Sequence, residues 1–415
     1  MASKARRDVP LDEAIARVRG RALSPERETV ALGKALGRVL AEAVTAQRDQ
    51  PPFRSSAMDG YAVRRSDIDP KTEQLVLAVV GESSAGRRFG RAVGPGEAVR
   101  IFTGAPVPDD CDAVVIQENT RVVEGGLEIL PDGRRINDRF IRKPGQDFVA
   151  GQVLCEAGAR LDPWRLSLVA AAGLAEVTVT RRPRISVLCT GDELVLPGND
   201  PNADQIYESA SHAIMALIKQ WGGKPTYLGV KGDDAKAIHR ALKTVDADLI
   251  VTVGGASVGD YDLVKPALEK LGLELEFETL RLKPGKPTAF GVLQDGRRVL
   301  GLPGNPASCF VVAQLILKPW IELSLGMGLG MAAVSPYAKA VLLEPLAANG
   351  PRETFYRAKL SQSVDGRLQV APFADQDSSL VAIFAQADAL LRIPSQQPAM
   401  DAGAHVEILP LDRMG

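Results

Sequence analysis

The chain has 415 residues, 45% hydrophobic and 24% charged, enough for two to four globular domains at ~100–200 residues each. Fifty basic residues against 51 acidic ones leave a net charge of −1, which excludes the basic excess of a nucleic-acid binder and leaves any anionic ligand to a few local cations. The four cysteines form no CxxC pair and the three histidines, His212, His239 and His405, have no metal-ligand spacing, which argues against a disulfide framework, zinc and histidine acid–base chemistry.

The N-terminus, MASKARRDVPLDEA, lacks the apolar core of a signal peptide. No stretch reaches ~18 uninterrupted apolar residues, so a cytoplasmic protein without membrane contact is expected. Residues 10–44 read as helical, with Ser24 as an N-cap before Pro25. Gln50-Pro51-Pro52 then forces extended backbone and marks a hinge. Short apolar runs separated by glycine and proline over 61–155 predict a β-rich module inserted between this segment and a second helical stretch, 160–176, which is expected to pack with the first. From 184 onward strands alternate with helices, the pattern of a parallel sheet covered by helices. Five further strand-like runs over 338–411 suggest a small barrel or sandwich.

In an open parallel sheet, ligands bind where strands end. Three loops lie at such ends: Thr190-Gly191-Asp192-Glu193, Gly232-Asp233-Asp234, and Gly254-Gly255-Ala256-Ser257-Val258-Gly259-Asp260-Tyr261-Asp262. Glycines let backbone N–H groups approach phosphate oxygens, Ser257 adds a hydroxyl, and the aspartates suit a hydrated Mg²⁺ held against a phosphate. The plainer reading stays open beside it: a Gly-Gly turn, and aspartates that only cap helices. No GxGxxG or GxxxxGK[ST] occurs, so the dinucleotide and P-loop readings lack their main support. Lys283-Pro284-Gly285-Lys286-Pro287 is a stiff turn carrying two cations, suited to gripping an oxyanion at low ordering cost. Pro303-Gly304-Asn305-Pro306 opens a helix, whose N–H groups suit an anion or simply start the helix. Asp59-Gly60, Thr103-Gly104, Arg352 and Ser378-Ser379 are, taken singly, no more than turn and surface residues.

Together these segments are more specific. PPFRSSAMDGYAVR (51–64), RIFTGAPVP (100–108), CDAVVIQE (111–118), TGDEL (190–194), VGGASVGDYD (253–262), LKPGKP (282–287) and LPGNPASC (302–309), in this order, resemble the molybdopterin molybdenumtransferase family, MoeA in bacteria and the E domain of gephyrin in animals. The resemblance implies a multidomain α/β homodimer. Its parts would be a helical segment (1–47 with 146–180), an inserted β-rich lid (48–145), an α/β molybdopterin-binding domain (181–328) and a C-terminal β-barrel (329–415). It implies conversion of adenylated molybdopterin and molybdate to molybdenum cofactor and AMP with Mg²⁺, and transient contact with an adenylyltransferase and acceptor molybdoenzymes.

Carried over position by position, the resemblance gives Asp59 and Thr103, reaching in from a partner subunit, and Glu193 and Asp262 catalytic roles. Thr190, Gly191, Asp192, Ser209, Gly254, Gly255, Ser257, Gly259, Pro303 and Asn305 would bind the substrate. Lys283, Lys286, Pro287, Arg352 and Ser378 would form a molybdate pocket, and Asp233, Asp234 and Asp262 would hold the metal. Glu208-Ser209-Ala210 departs from the family's Asp, Ser or Thr, Asn, and Arg54 stands where acidic or other polar residues are common. The substrate's dithiolene sulfurs would remove any need for a nucleophilic cysteine. Two other readings are a molybdopterin adenylyltransferase, which needs neither the extension nor the KPGKP turn, and a receptor-clustering scaffold, for which no linker or fused domain is present.

Overall fold

The computed structural model describes residues 6–69, 71–232, 234–255, 263–328 and 335–412. These fall into two compact units. One comprises residues up to Glu28, Gly37–Ala41 and Thr178 onward; the other comprises Thr29–Leu36 and Glu42–Val177.

The larger unit is built on a six-stranded sheet in the order Lys224–Lys231, Arg184–Thr190, Leu249–Val253, Arg298–Leu302, Ala289–Val292, Glu274–Phe277. The first four strands are parallel. Leu249, Val251 and Val253 join one core and Ile250 the other, as the two-residue period of a strand buried on both faces requires. The last two strands run antiparallel, an addition to the expected parallel sheet. The reason is local: Leu293–Arg297 closes a tight turn around Asp295-Gly296, with Gly296 at φ +87°, and is far too short for a crossover helix. The helix Pro306–Ser324 is long and apolar enough to cross a membrane, yet most of it is buried inside the protein as a core helix.

The expected helix over 10–44 is corrected. Helix is confined to Leu11–Arg19, whose apolar face, Leu11, Ala14 and Val18, enters the α/β core. Residues 27–31 form a strand and Leu32–Lys34 a 3₁₀ turn, and Gly37 sits at φ +72°. Backbone pairing supplied by distant segments (Leu32 N–H to the Ala175 carbonyl) overrides the weak helical preference. The 160–176 stretch is helical only over Pro163–Ala171, capped by the Asp162 carboxylate, and the return segment meets the N-terminal one through backbone pairing, Val153–Cys155 with Val44–Thr45 and the Ala175 carbonyl with the Leu32 N–H.

The smaller unit carries a six-stranded sheet in the order Ala113–Ile116, Gly60–Val63, Glu97–Ile101, Leu75–Ser83, Gly126–Ile129, Thr120–Val123. At the C-terminal end of the larger unit, Ala338–Leu342, Glu353–Gln362, Leu368–Pro372, Ala389–Ile393 and His405–Pro410 close on themselves as a five-stranded barrel. Leu282–Lys283 pairs in parallel with Glu353–Thr354, attaching the barrel to the α/β domain.

One charged cluster ties the sheet's lower edge. Asp248, 9% exposed, accepts from the Arg184 N–H and from the Arg184 and Arg181 guanidinium groups. Burial pulls its carboxyl upward, but these bonds outweigh burial and bring it down to about 2. The folded value lies below the unfolded one, so this stability is present above pH ~4 and is lost as pH falls toward ~2. Asp248→Asn is expected to cost about 2 kcal/mol at neutral pH and to flatten that acid limb, as checked by thermal denaturation across pH.

Candidate active site

A cavity of about 1060 Å³ opens in the larger unit between the ends of the parallel strands and the barrel. Its floor is made by Thr190, Gly191, Gly254 and Gly255, at the ends of two adjacent strands. Gly254 has φ +86°, and a Cβ there would stand 2.6 Å from the Thr190 carbonyl oxygen, so only glycine lets these turns meet. Thr190 lines the cavity, while its hydroxyl is buried and has no hydrogen-bond partner among the described residues. The open glycine backbone is suited to phosphate oxygens. Glu193, Ser209, Pro303 and Asn305 line the same space.

Cations come from two directions. Lys283, Lys286 and Pro287 reach the cavity on the turn after Leu282, and Arg352 reaches it from the start of the first long barrel strand. The parallel pairing of Leu282 with Glu353 sets these two segments side by side. Gly285 has φ +114°, and a Cβ would collide with Val312 at 2.6 Å, which pins the turn to the helix beneath. Lys286 stands 3.8 Å from Asp8. Neither the Lys283 nor the Arg352 side chain has an ion-pair partner among the described residues. Ser378 enters on the 373–380 loop: its hydroxyl accepts from the Asn305 amide at 2.7 Å and its carbonyl from the Ala307 N–H at 3.0 Å.

The cavity contains no ready nucleophile among its described residues. Cys189 lines it but is buried, and desolvation, followed by the nearby Glu208 carboxylate, raises its thiol far above the ordinary value. No histidine lines it.

Several expected residues stand elsewhere. Asp192 does not line the cavity; its carboxylate turns toward Gly232. Asp234 is the N-cap of Ala235–Lys243, accepting from the Lys236 and Ala237 N–H groups, which lower its carboxyl. Asp233, Ser257, Gly259 and Asp262 lie outside the described residues. Among the described residues no three acidic, cysteine or histidine side chains gather as a metal site. Asp59 and Thr103 lie in the smaller unit. There the Asp59 carboxylate accepts from the Thr103 N–H at 2.7 Å and hydroxyl at 2.8 Å, bonds that hold its carboxyl below the ordinary value. The Gly60 to Ile101 pairing brings them together, and any Cβ at Gly60 would strike the Val115 carbonyl.

Sequence reasoning missed several partners. The Arg54 guanidinium donates to the carbonyls of Pro108, Asp109 and Cys111 and so braces that turn, which accounts for the departure at this position. Glu208 is buried and accepts from the Ser211 N–H and hydroxyl, fixing the first turn of Ala210–Trp221, with Ser209 and Ala210 on the cavity wall. Gln376, Asp377 and Tyr207 also line the cavity. Only the carboxylate two residues before the helix was a readable signal.

Known proteins place this arrangement. Residues 9–173 match the MoeA N-terminal region (domain I and II), residues 186–323 a "Probable molybdopterin binding domain", and residues 339–411 the MoeA C-terminal region (domain IV). A molybdopterin molybdenumtransferase of Haemophilus influenzae is 34% identical over 94% of this chain and 95% of its own length. One of Bacillus subtilis is 34% identical over 97% and 94% respectively. The solved structure of a molybdopterin biosynthesis MoeA protein from Pyrococcus horikosii superposes with a TM-score of 0.81 at 31% identity, covering 98% of this chain and 100% of that one. With matches spanning all of its regions and relatives similar over nearly its whole length, the chain belongs to the molybdopterin molybdenumtransferase family and is a transferase.

Proposed function

We propose that the chain acts in molybdenum cofactor biosynthesis, inserting molybdenum from molybdate into adenylated molybdopterin with release of AMP. The observation that carries this reading is the pairing of Leu282–Lys283 with Glu353–Thr354. It delivers Lys283 and Lys286 from one domain and Arg352 from another to a cavity floored by Thr190, Gly254 and Gly255. One end suits a doubly charged oxyanion, the other a phosphate-bearing ligand. Each unit charge pair at ~4 Å contributes ~4 kcal/mol at an effective dielectric near 20, so two or three cations are enough to offset a dianion's desolvation in a site of this kind.

The buried, high-pKa Cys189 leaves sulfur chemistry to the substrate's own dithiolene. The protein's part is then positioning: the glycine turns hold phosphate, the cations hold molybdate next to the sulfurs, and proximity couples the two. Of the described carboxylates on the cavity wall, Glu208 is held by Ser211 and Asp377 by Ser379, and Glu193 is the one proposed to orient a water toward the phosphate. Mg²⁺ belongs to the proposal as an ion carried in on the substrate's phosphates, as is usual for magnesium, rather than one caged by described side chains. Asp59 and Thr103, locked together on the lid, are proposed to complete the site from a second subunit of a cytoplasmic homodimer.

The direct test is AMP release from adenylated molybdopterin with Mg²⁺, with and without molybdate, followed by activation of a cofactor-free molybdoenzyme. Molybdate-dependent release with activation is expected; consumption of ATP with free molybdopterin would move the assignment to the adenylating step. Lys283→Met and Arg352→Met are each expected to raise the molybdate concentration needed for half-maximal rate about 10- to 100-fold, the worth of one charge-assisted contact, leaving AMP affinity nearly unchanged. Equal loss of both affinities in steady-state and calorimetric titrations would count against separate ends of the cavity.

A further inference from the structure

The N-terminal arm runs to the edge of the cavity without lining it. Residues 6–9 lie in parallel beside 277–281, with Arg6 bridged to Phe277 and Val9 to Leu280. The Glu278 N–H donates to the Arg6 carbonyl at 2.9 Å, the Val9 N–H to the Thr279 carbonyl at 3.0 Å, and the Arg281 N–H to the Val9 carbonyl at 2.8 Å. Val9 is buried in the α/β core and anchors the arm there. The segment that carries the arm also closes the lysine turn. The Leu280 and Thr288 N–H groups both donate to the Lys286 carbonyl at 2.9 Å, and the Thr288 hydroxyl donates to the Gly285 carbonyl at 2.7 Å. Arm and turn are thus fixed to the same few residues.

Within the arm, Asp8 stands at φ +52°, a left-handed conformation that a short polar side chain tolerates by bonding locally. Its N–H donates to the Thr279 hydroxyl at 2.7 Å, and that hydroxyl donates back to the Asp8 carboxylate at 3.4 Å. The arm's own cations are taken up elsewhere, Arg6 by Glu13 and Arg7 by Glu278. The Asp8 carboxylate instead meets the Lys286 ammonium, across the cavity's rim, at 3.8 Å. With the two side chains 60% and 52% exposed, such a pair adds little to the stability of the fold. Its effect falls on a third charge, the anion that Lys286 would hold, because a fixed carboxylate beside a cation lowers the potential that the anion meets.

We propose that Asp8 is a specificity-determining residue, an internal counter-anion that shares Lys286 with the bound oxyanion and so grades the cavity's affinity by ligand charge. Asp8 offsets one of the three cations, Lys283, Lys286 and Arg352, that reach the cavity from the lysine turn and the barrel. The cost it imposes is proportional to the charge of the guest, lightest for a monoanion and heaviest for a polyphosphate. An oxyanion held this way is gripped without being trapped, and can leave its cations for the substrate's sulfurs. Asp8 touches no substrate; it acts through Lys286. The proposal rests on the proposed function, which makes the lysine turn an oxyanion site.

The test uses the full chain and two tetrahedral oxyanions of similar size, molybdate as dianion and perrhenate as monoanion, with binding measured by calorimetry at low salt. Asp8→Asn keeps a residue that tolerates the left-handed backbone and removes only the charge. It is expected to tighten molybdate binding about three- to fivefold and perrhenate binding less than about twofold, the scale of one half-exposed ion pair felt in proportion to ligand charge. At about 0.5 M salt the molybdate gain is expected to fall below about 1.5-fold, as screening requires. In a Lys286→Met background, Asp8→Asn is likewise expected to gain less than about 1.5-fold, because the shared cation is gone. Unchanged or weaker molybdate binding, equal gains for the two anions, or a gain undiminished without Lys286 would each overturn the role of Asp8. A wild-type chain that binds no molybdate would overturn the proposed function and this inference with it.

Discussion

Two residues of parallel pairing, Leu282–Lys283 against Glu353–Thr354, decide where the cations of this protein stand. The turn that follows is held from below by Gly285 against Val312, and Leu282 itself is fully buried. The barrel strand is held in its own closed cylinder by neighbours on both sides. Among the described residues neither Lys283 nor Arg352 is paired by an acid, so the potential at that wall comes from where the strands meet. Shifting the pairing by one residue would invert which side chains face the cavity.

The same logic holds on the floor. Thr190 and Gly254 end adjacent strands, and the missing side chain at Gly254 allows one turn to sit against the carbonyl of the other. Bulky apolar residues upstream (Val187, Leu188, Val251) bury the strands and keep their ends in place. Core packing and site geometry are thus two ends of the same strands, the usual economy of an open α/β sheet.

Strong periodic signals were legible and weak ones were not. The RISVLC and DLIVTV runs, the helix DQIYESASHAIMALIKQW from Ala210 on, and all five barrel strands follow from apolar patterning alone. Residues 24–44 were misread because Glu28, Ala31, Leu32 and Leu36 have helix-favouring side chains while the segment's hydrogen bonds go to residues near 175–180, a partner no local pattern discloses. The cavity residues read from motifs were mostly glycines and prolines, whose backbone constraints are local. Asp234, by contrast, shows how an acid before a helix is taken up by the helix itself. Arg54 was legible only as a departure; its bracing role was not, because its partners are carbonyls brought near by the fold, and a carbonyl has no letter in the sequence.

The four buried cysteines carry a consequence for a protein whose proposed cargo is a dithiolene. Thiol–disulfide exchange needs a thiolate and access to it. Cys111 is pushed up to about 12 by burial, and Cys155, Cys189 and Cys309 are raised by burial as well. None is poised to attack, or be attacked by, a sulfur-rich guest, not even Cys189 on the cavity wall. Under the proposed function such thiols would leave the guest's sulfurs as the ones to meet the metal, with no protein thiolate competing for it.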